Sequence, residues 1–396
     1  MRRFRFDSVE CDEDHPDFAG LLARAYRAKV RPLCLCREQA APMYIADIGN
    51  QLVIKRMPLS GEGHDPACPS YEPPYELSGL GPLMGSAIQM DASLGSASLK
   101  LDFSLSKRAG SNRPGVPEPT GESVKAESRK LSLRALLHFL WHESGLTEWT
   151  AHWAGKRHWW QVYHHLLEAA GNMAVRGESL SERLLIPEPF RAEDKTAIEH
   201  RRAQKMAGLF QQGPKRLMLL VSEVKEFTEA RDGRLVVVKH MPGFRLYLED
   251  TAWKSVQRRF EAEFALWQSG ENLHLMLIAT IGSGKAGIVT IDEIALMCVS
   301  EQWLPIENAF EQKLVGRLTR LRLKSVKGLR FNLGRNRPLA NAMLLETKPR
   351  PHALYIVPPS AGADFEEALK KMIEARPDLG AWVWRVVEGD MPPIPT

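Results

Sequence analysis

Cys34 and Cys36, one residue apart, are answered by His64 and Cys68 across residues 37–63. Three thiolates and one imidazole in two close pairs are the donor set that closes a tetrahedral zinc site. Four protein ligands leave no open position for substrate, so this chemistry is that of a structural clip. Between the pairs, residues 42–46 (PMYIA) and 51–57 (QLVIKRM) read as two short strands around the turn formers Asp47, Gly49 and Asn50. Such a hairpin returns the chain to its start and brings the ligand pairs together. The competing reading has Cys34 and Cys36 alternating along a strand, with His64 and Cys68 filling a small core. A short, loop-rich stretch buries too little apolar surface to order itself, which favours the metal. Cys11 and His15 make another close pair, without a second pair to complete it.

A second constellation lies far downstream. From Lys313 to Arg337 there are nine bases and no acid: Lys313, Arg317, Arg320, Arg322, Lys324, Lys327, Arg330, Arg335 and Arg337. A local excess of this size is what neutralising phosphates requires, each contact releasing counterions. Lys313, Arg317 and Arg320 share a helical face, with Leu314, Leu318 and Leu321 on the adjoining one. The plain alternative is the solvated face of an amphipathic helix.

Other chemical signatures are incomplete. Gly282 to Lys285 invites a phosphate-loop reading, but Ala279 stands where the first glycine belongs and Ala286 replaces the magnesium-binding hydroxyl. A turn between two strands accounts for these glycines. His138 and His142 share a helix face without the carboxylate of a metalloprotease, and Cys298 reads as a buried thiol. Lys156, Arg157 and His158 begin the second helix of a possible helix-turn-helix and would there meet phosphates.

The elements that must position these groups fall into several units. A chain of 396 residues exceeds one compact core, and 44% hydrophobic with 26% charged residues is ordinary globular composition. The expected class is a multidomain α+β protein. An N-terminal β-rich module with the zinc site spans 1–106, and a Pro/Gly-rich linker spans 107–129. A helical segment follows over 130–212, an α/β domain over 213–300 and a C-terminal α/β domain over 301–396. The basic N-terminus lacks a secretory apolar run, and no window approaches the roughly 20 apolar residues of a membrane span. A cytoplasmic location with no membrane partner is the expectation. Five cysteines suit thiols or metal ligands better than a disulfide framework.

The C-terminal order is a helix over 305–323, strands near 328–331, 339–345 and 352–357, a helix over 364–375 and a last strand over 381–387. This order distantly resembles a restriction-endonuclease-like core. The resemblance assigns Glu311 to the helix carboxylate, but Asn341, Tyr355 and Val357 stand where that core carries its aspartate, glutamate and lysine. It implies a nuclease fold whose catalytic residues have lapsed and which still holds nucleic acid. An unrelated three-layer domain would show the same order.

Five runs carry a wider resemblance: LCLC at 33–36, IKRMP at 54–58, HDPACPSY at 64–71, PLANAMLLET at 338–347 and ALYIVPP at 353–359. They resemble the bacterial domain of unknown function numbered 1173, whose members are associated with plasmids and integrated mobile elements. No activity comes with that resemblance. The leading expectation is a non-enzymatic accessory protein that binds DNA or RNA in mobile-element maintenance or transfer, with protein partners from the same element. A diverged metal-dependent nuclease using Glu307, Glu311 and Glu346 is the first alternative. A protein-interaction scaffold is the second.

Overall fold

The computed structural model describes residues 2–91, 96–107, 129–211, 215–269, 272–284 and 287–395. Most of the expected linker, the boundary at Gly213 and Pro214, and the pair Lys285 and Ala286 lie outside the described residues. Helix and strand each make up 31% of the structure, distributed over several sheets, so the mixed α and β class holds.

The N-terminal sheet runs β2-β1-β3-β4-β5. It comprises β1 (Arg3–Phe6), β2 (Val9–Asp12), β3 (Leu33–Cys34), β4 (Ala41–Ile48) and β5 (Gln51–Arg56), with α1 (Phe18–Arg27) inserted before β3. The tight β4–β5 turn falls on Gly49 and Asn50, both at positive φ of 60° and 66°, where glycine and asparagine fit best. Phe4, Phe6, Leu22, Met43 and Ile54 fill a separate small core here.

Next come β6 (Ile88–Asp91), β7 (Ser96–Leu99), β8 (Ser106–Lys107), α2 (Leu133–Glu143), β9 (Glu148–Trp149), α3 (Trp159–Gly171), β10 (Met173–Val175), β11 (Glu178–Ser179), α4 (Leu180–Arg183), β12 (Leu184–Leu185) and α5 (Lys195–Met206). Ser132 caps α2 by accepting from the Ala135 amide at 3.2 Å. Almost every side chain of α2 from Leu133 to Trp141 is buried, as expected of a helix apolar on all sides. It packs on strands of the following barrel and shares its core.

That barrel uses β14 (Met218–Ala230), β15 (Gly233–Val238), β16 (Arg245–Glu249), β17 (His274–Ser283) and β18 (Val289–Val299). β13 (Lys215–Arg216) pairs β8, and β19 (Pro305–Ile306) extends β18. The strand order β14-β15-β16-β18-β17 closes because β17 pairs back onto β14. Only β16 and β18 run parallel; the other pairs are antiparallel. β14 serves both sides of the barrel: Met218 to Glu223 pair with β17, and Val224 to Ala230 with β15. A bulge between Val224 and Glu226 bends the strand from one partner to the other. Between the third and fourth strands lie α6 (Asp250–Arg259) and α7 (Glu261–Gln268), separated at Phe260. Their Trp253, Phe264 and Trp267 pack around Phe227 of β14.

The C-terminal unit comprises α8 (Ala309–Arg320), β20 (Ser325–Lys327), β21 (Ala342–Leu344), β22 (His352–Val357), α9 (Ala363–Glu374) and β23 (Gly380–Arg385). Its sheet runs β23-β22-β21-β20-β9, antiparallel except for the parallel β22–β23 pair. Leu314 and Leu318 of α8 cover one face with Trp382 and Trp384. Phe365 and Leu369 of α9 cover the other with Met343 and Tyr355. β20 stops short of the strand expected through Phe331. The chain turns at Gly328, where a Cβ would lie 1.9 Å from the Ala340 carbonyl oxygen.

The helix-turn-helix reading fails on geometry. Residues 144–158, carrying β9, separate α2 from α3, whereas that motif needs a turn of about 3–4 residues. Arg157 is buried, and its guanidinium donates to the Leu146, Glu148 and Gln302 carbonyls.

Candidate metal centre and basic face

Cys34 ends β3, and Cys36 follows two residues on. The β4–β5 hairpin then carries the chain out and back to a turn in which the Cys68 amide donates to Asp65 O at 2.8 Å. The Asp65 carboxylate steadies that turn by accepting from the Ala67 amide at 2.9 Å. One ligand atom from each of Cys34, Cys36, His64 and Cys68 lies within 4.8 Å of all the others. Cys34 Sγ is 3.8 Å from Cys68 Sγ, and His64 Nδ1 is 3.4 Å from Cys36 Sγ and 3.8 Å from Cys68 Sγ.

Zinc–sulfur and zinc–nitrogen bonds of about 2.3 and 2.0 Å in a tetrahedron give edges of about 3.8 Å for S–S and 3.5 Å for S–N. The observed separations fit that size, so the four residues could hold a metal ion. Amides of Asp65 and Ser70 donate to Cys36 Sγ and Cys68 Sγ, each at 3.4 Å, as backbone donors to thiolates do. The bond to Cys34, helped by His64, brings the Cys68 thiol down to about 3, and the same bond pushes Cys34 up. Burial works against the charged form of Arg2, but its bond to Glu13, with smaller help from the nearby Cys68 and Cys34, holds its pKa above the ordinary value. Three thiolates around a divalent ion would leave one net negative charge near this guanidinium. His64 is fully buried, and its Nε2 has no hydrogen-bond partner among the described residues. Cys11 and His15 are not drawn together: Cys11 Sγ donates to Asp12 O, and His15 Nδ1 accepts from the Asp17 amide.

The basic run divides by burial. Lys313, Arg317, Arg320 and Arg322 are exposed on and just after α8, with no carboxylate partner among the described residues. Asn308 starts this helix by accepting from the Phe310 and Glu311 amides at 3.0 and 2.9 Å. Lys324 pairs with Glu346 at 3.2 Å, Arg335 pairs with Glu263 at 2.7 Å, and Arg337 is exposed.

Lys327 and Arg330 turn inward. Lys327 Nζ meets Glu311 Oε1 at 3.0 Å with both side chains buried, and Arg330 Nε meets Glu307 at 2.5 Å. Neither is presented to a phosphate. Asn341 Nδ2 also donates to Glu311 Oε1 at 2.7 Å, while Asn341 Oδ1 accepts from the Ile356 amide at 2.8 Å. Burial alone would raise Glu307, but Arg330, then Lys327 and His138, hold its carboxyl down at about 2. His138 Nδ1 accepts from the Phe331 amide at 3.0 Å, and burial lowers this histidine to about 3.

Sequence reasoning missed these internal pairs, although a signal existed. Glu307 lies just before α8 and Glu311 in its first turn, four residues apart, and Lys327 and Arg330 are three apart at and just after the end of β20, so both pairs can form together. Among the described residues, Cys34, Cys36, His64 and Cys68 are the one group of three or more metal-ligating side chains that converges; Glu307, Glu311 and Glu346 do not. Another unforeseen cluster of three sits on the barrel, where buried Glu223 accepts from Lys239 Nζ at 2.6 Å and pairs with His274 Nδ1 at 2.7 Å. Cys298 is fully buried and donates to Glu263 O.

These features define a mixed α and β protein of several sheets carrying a Cys3His cluster able to take a metal ion. The family model described as "Protein of unknown function (DUF1173)" matches residues 4–387, and the chain belongs to that family. No curated protein and no solved structure matches it. No helix among the described residues is long and apolar enough to cross a membrane.

Proposed function

We propose that this chain is a non-enzymatic nucleic-acid-binding protein whose N-terminal module is held by one structural zinc at Cys34, Cys36, His64 and Cys68. The observation that carries the reading is the face of α8. Lys313, Arg317 and Arg320 on that face, and Arg322 just past the end of the helix, stand exposed with no carboxylate partner among the described residues, while most other bases of the run are spent on acids. Unpaired surface cations at helical spacing are what a phosphate backbone requires. Arg337 can add a contact from the loop before β21, Arg335 only by leaving Glu263 and Lys324 only by leaving Glu346. The resemblance to mobile-element proteins suggests a role in plasmid or integrative-element maintenance or transfer, with partner proteins from the same element.

A nuclease-derived C-terminal unit is supported by its order, a helix, three antiparallel strands, a helix and a parallel fourth strand, in three layers. The pair Glu311–Lys327 and Asn341 fill its polar centre, which argues against cleavage. Fluorescence anisotropy with labelled duplex and single-stranded oligonucleotides at low salt tests the binding reading. Binding that falls when Lys313, Arg317, Arg320 and Arg322 are changed to glutamine supports it. No binding to any of these probes refutes it.

A further inference from the structure

Numbered from β14, the barrel strands close in the order 1-2-3-5-4-1, with strands 3 and 5 parallel and helices between 3 and 4. This is the topology of oligonucleotide- and oligosaccharide-binding barrels, which take ligands across strands 2 and 3, between the loops joining strands 1–2 and 4–5. The corresponding surface here is the outer face of β15 and β16.

The register says what lies on it. Val236, Val238, Leu246 and Leu248 point inward and are buried. The alternate residues point outward in rows: Thr228, Leu235, Tyr247 and Thr290 across four strands, and Glu226, Val237 and Arg245 beside them. All of these are half-buried or exposed. Tyr247 lies at the middle. Its hydroxyl donates to Asp232 O at 2.6 Å, and its ring lies beside Gly233, where an added Cβ would come within 3.1 Å of Tyr247 Cε2. The missing side chain lets the ring settle on the strand. Arg245, two residues away on the same face, is exposed and has no ion-pair partner among the described residues.

We propose that the outer face of β15 and β16 binds single-stranded nucleic acid, with the Tyr247 ring stacking on an unpaired base and Arg245 meeting the adjoining phosphate. This deepens the nucleic-acid reading above and rests on it. The barrel topology and a stacking ring beside an open arginine favour this occupant. Arg245 supplies an open cation beside the ring, and the chain carries a net charge of +5. Glu226 lies two strands from Arg245 in the same row and Glu249 two residues beyond Tyr247, so the ring offers stacking and the β16 side at Arg245 offers the charge. A paired base is not free to stack on such a ring, whereas every unpaired base presents a π-face.

The test is anisotropy with labelled oligothymidylate and oligouridylate of roughly 16 nucleotides, the upper site size of one such barrel, beside a blunt duplex. Stacking of one base predicts that Tyr247→Ala weakens single-strand binding at least about fivefold. Tyr247→Phe should retain the affinity, and duplex binding should not change in either variant. Arg245→Gln should also weaken single-strand binding. Full single-strand affinity in Tyr247→Ala overturns this inference and leaves the α8 reading standing, as does wild type that binds duplex alone. Wild type that binds no nucleic acid overturns both. Unchanged thermal melting of the variants guards against misfolding.

Discussion

Lys327→Met should destabilise the C-terminal sheet far more than loss of a surface lysine would. Lys327 and Glu311 have side chains only 4% and 1% exposed and lie 3.0 Å apart. Removing one member of such a pair costs about 3–5 kcal/mol, because a buried charge is left without its partner. Glu311 keeps two other donors, Asn341 Nδ2 at 2.7 Å and the Glu307 amide at 2.9 Å. They place the expected loss near the lower limit, about 3 kcal/mol. Urea unfolding followed by tryptophan fluorescence and circular dichroism measures it as a fall in midpoint at constant slope. Adding Glu311→Gln removes the stranded charge and should recover about half of the loss. Amide exchange in the β20–β21 ladder should speed up in the single variant and less in the double one. A loss below about 1 kcal/mol, the range of exposed pairs, would show that water reaches the pair and that the closed polar centre is misread.

Three further outcomes are expected. Purified protein should carry one zinc per chain by elemental analysis, and Cys36→Ser or a strong chelator should remove it and lower the melting temperature; metal-free wild type of full stability would leave the cysteines as plain core. His138→Asn, which can still accept from the Phe331 amide, should flatten the acid dependence of stability. His138 sits at about 3 in the fold against about 6.5 unfolded, so between these values the unfolded chain binds the extra proton and stability falls as pH falls. One such histidine is worth about 2 kcal/mol between pH 7 and 5, and an equally steep loss in the variant would assign the dependence elsewhere. Plasmid incubated with magnesium or manganese should stay intact; cleavage abolished by Glu311→Ala would establish the nuclease alternative.

Local patterns carried much of this structure in the sequence, and nonlocal ones did not. The β4–β5 hairpin is legible because Gly49 and Asn50 need positive φ and the flanking residues alternate. The C-terminal order is legible because α8 and α9 are strongly amphipathic and β22 is a continuous apolar run. Closure of the barrel is not, since it depends on β17 returning to β14 and on the parallel β16–β18 pair, neither of which leaves a local signature. The three- and four-residue spacing of Lys313, Arg317 and Arg320 is enough to put them on one side of a helix. The inward turn of Lys327 and Arg330 depends on acids 16 and 23 residues earlier, so their charge alone reads as surface. The metal ligands are legible as two pairs, but the supporting Arg2 and the amides of Asp65 and Ser70 emerge only in three dimensions.

The salt dependence of binding tests the central claim most directly. For single strands, log affinity falls against log salt with a slope of about 0.7 per phosphate neutralised. Changing Lys313, Arg317, Arg320 and Arg322 to glutamine should therefore reduce the slope by roughly 3 and lower affinity at low salt. A quadruple variant with the wild-type slope and affinity would contradict the account.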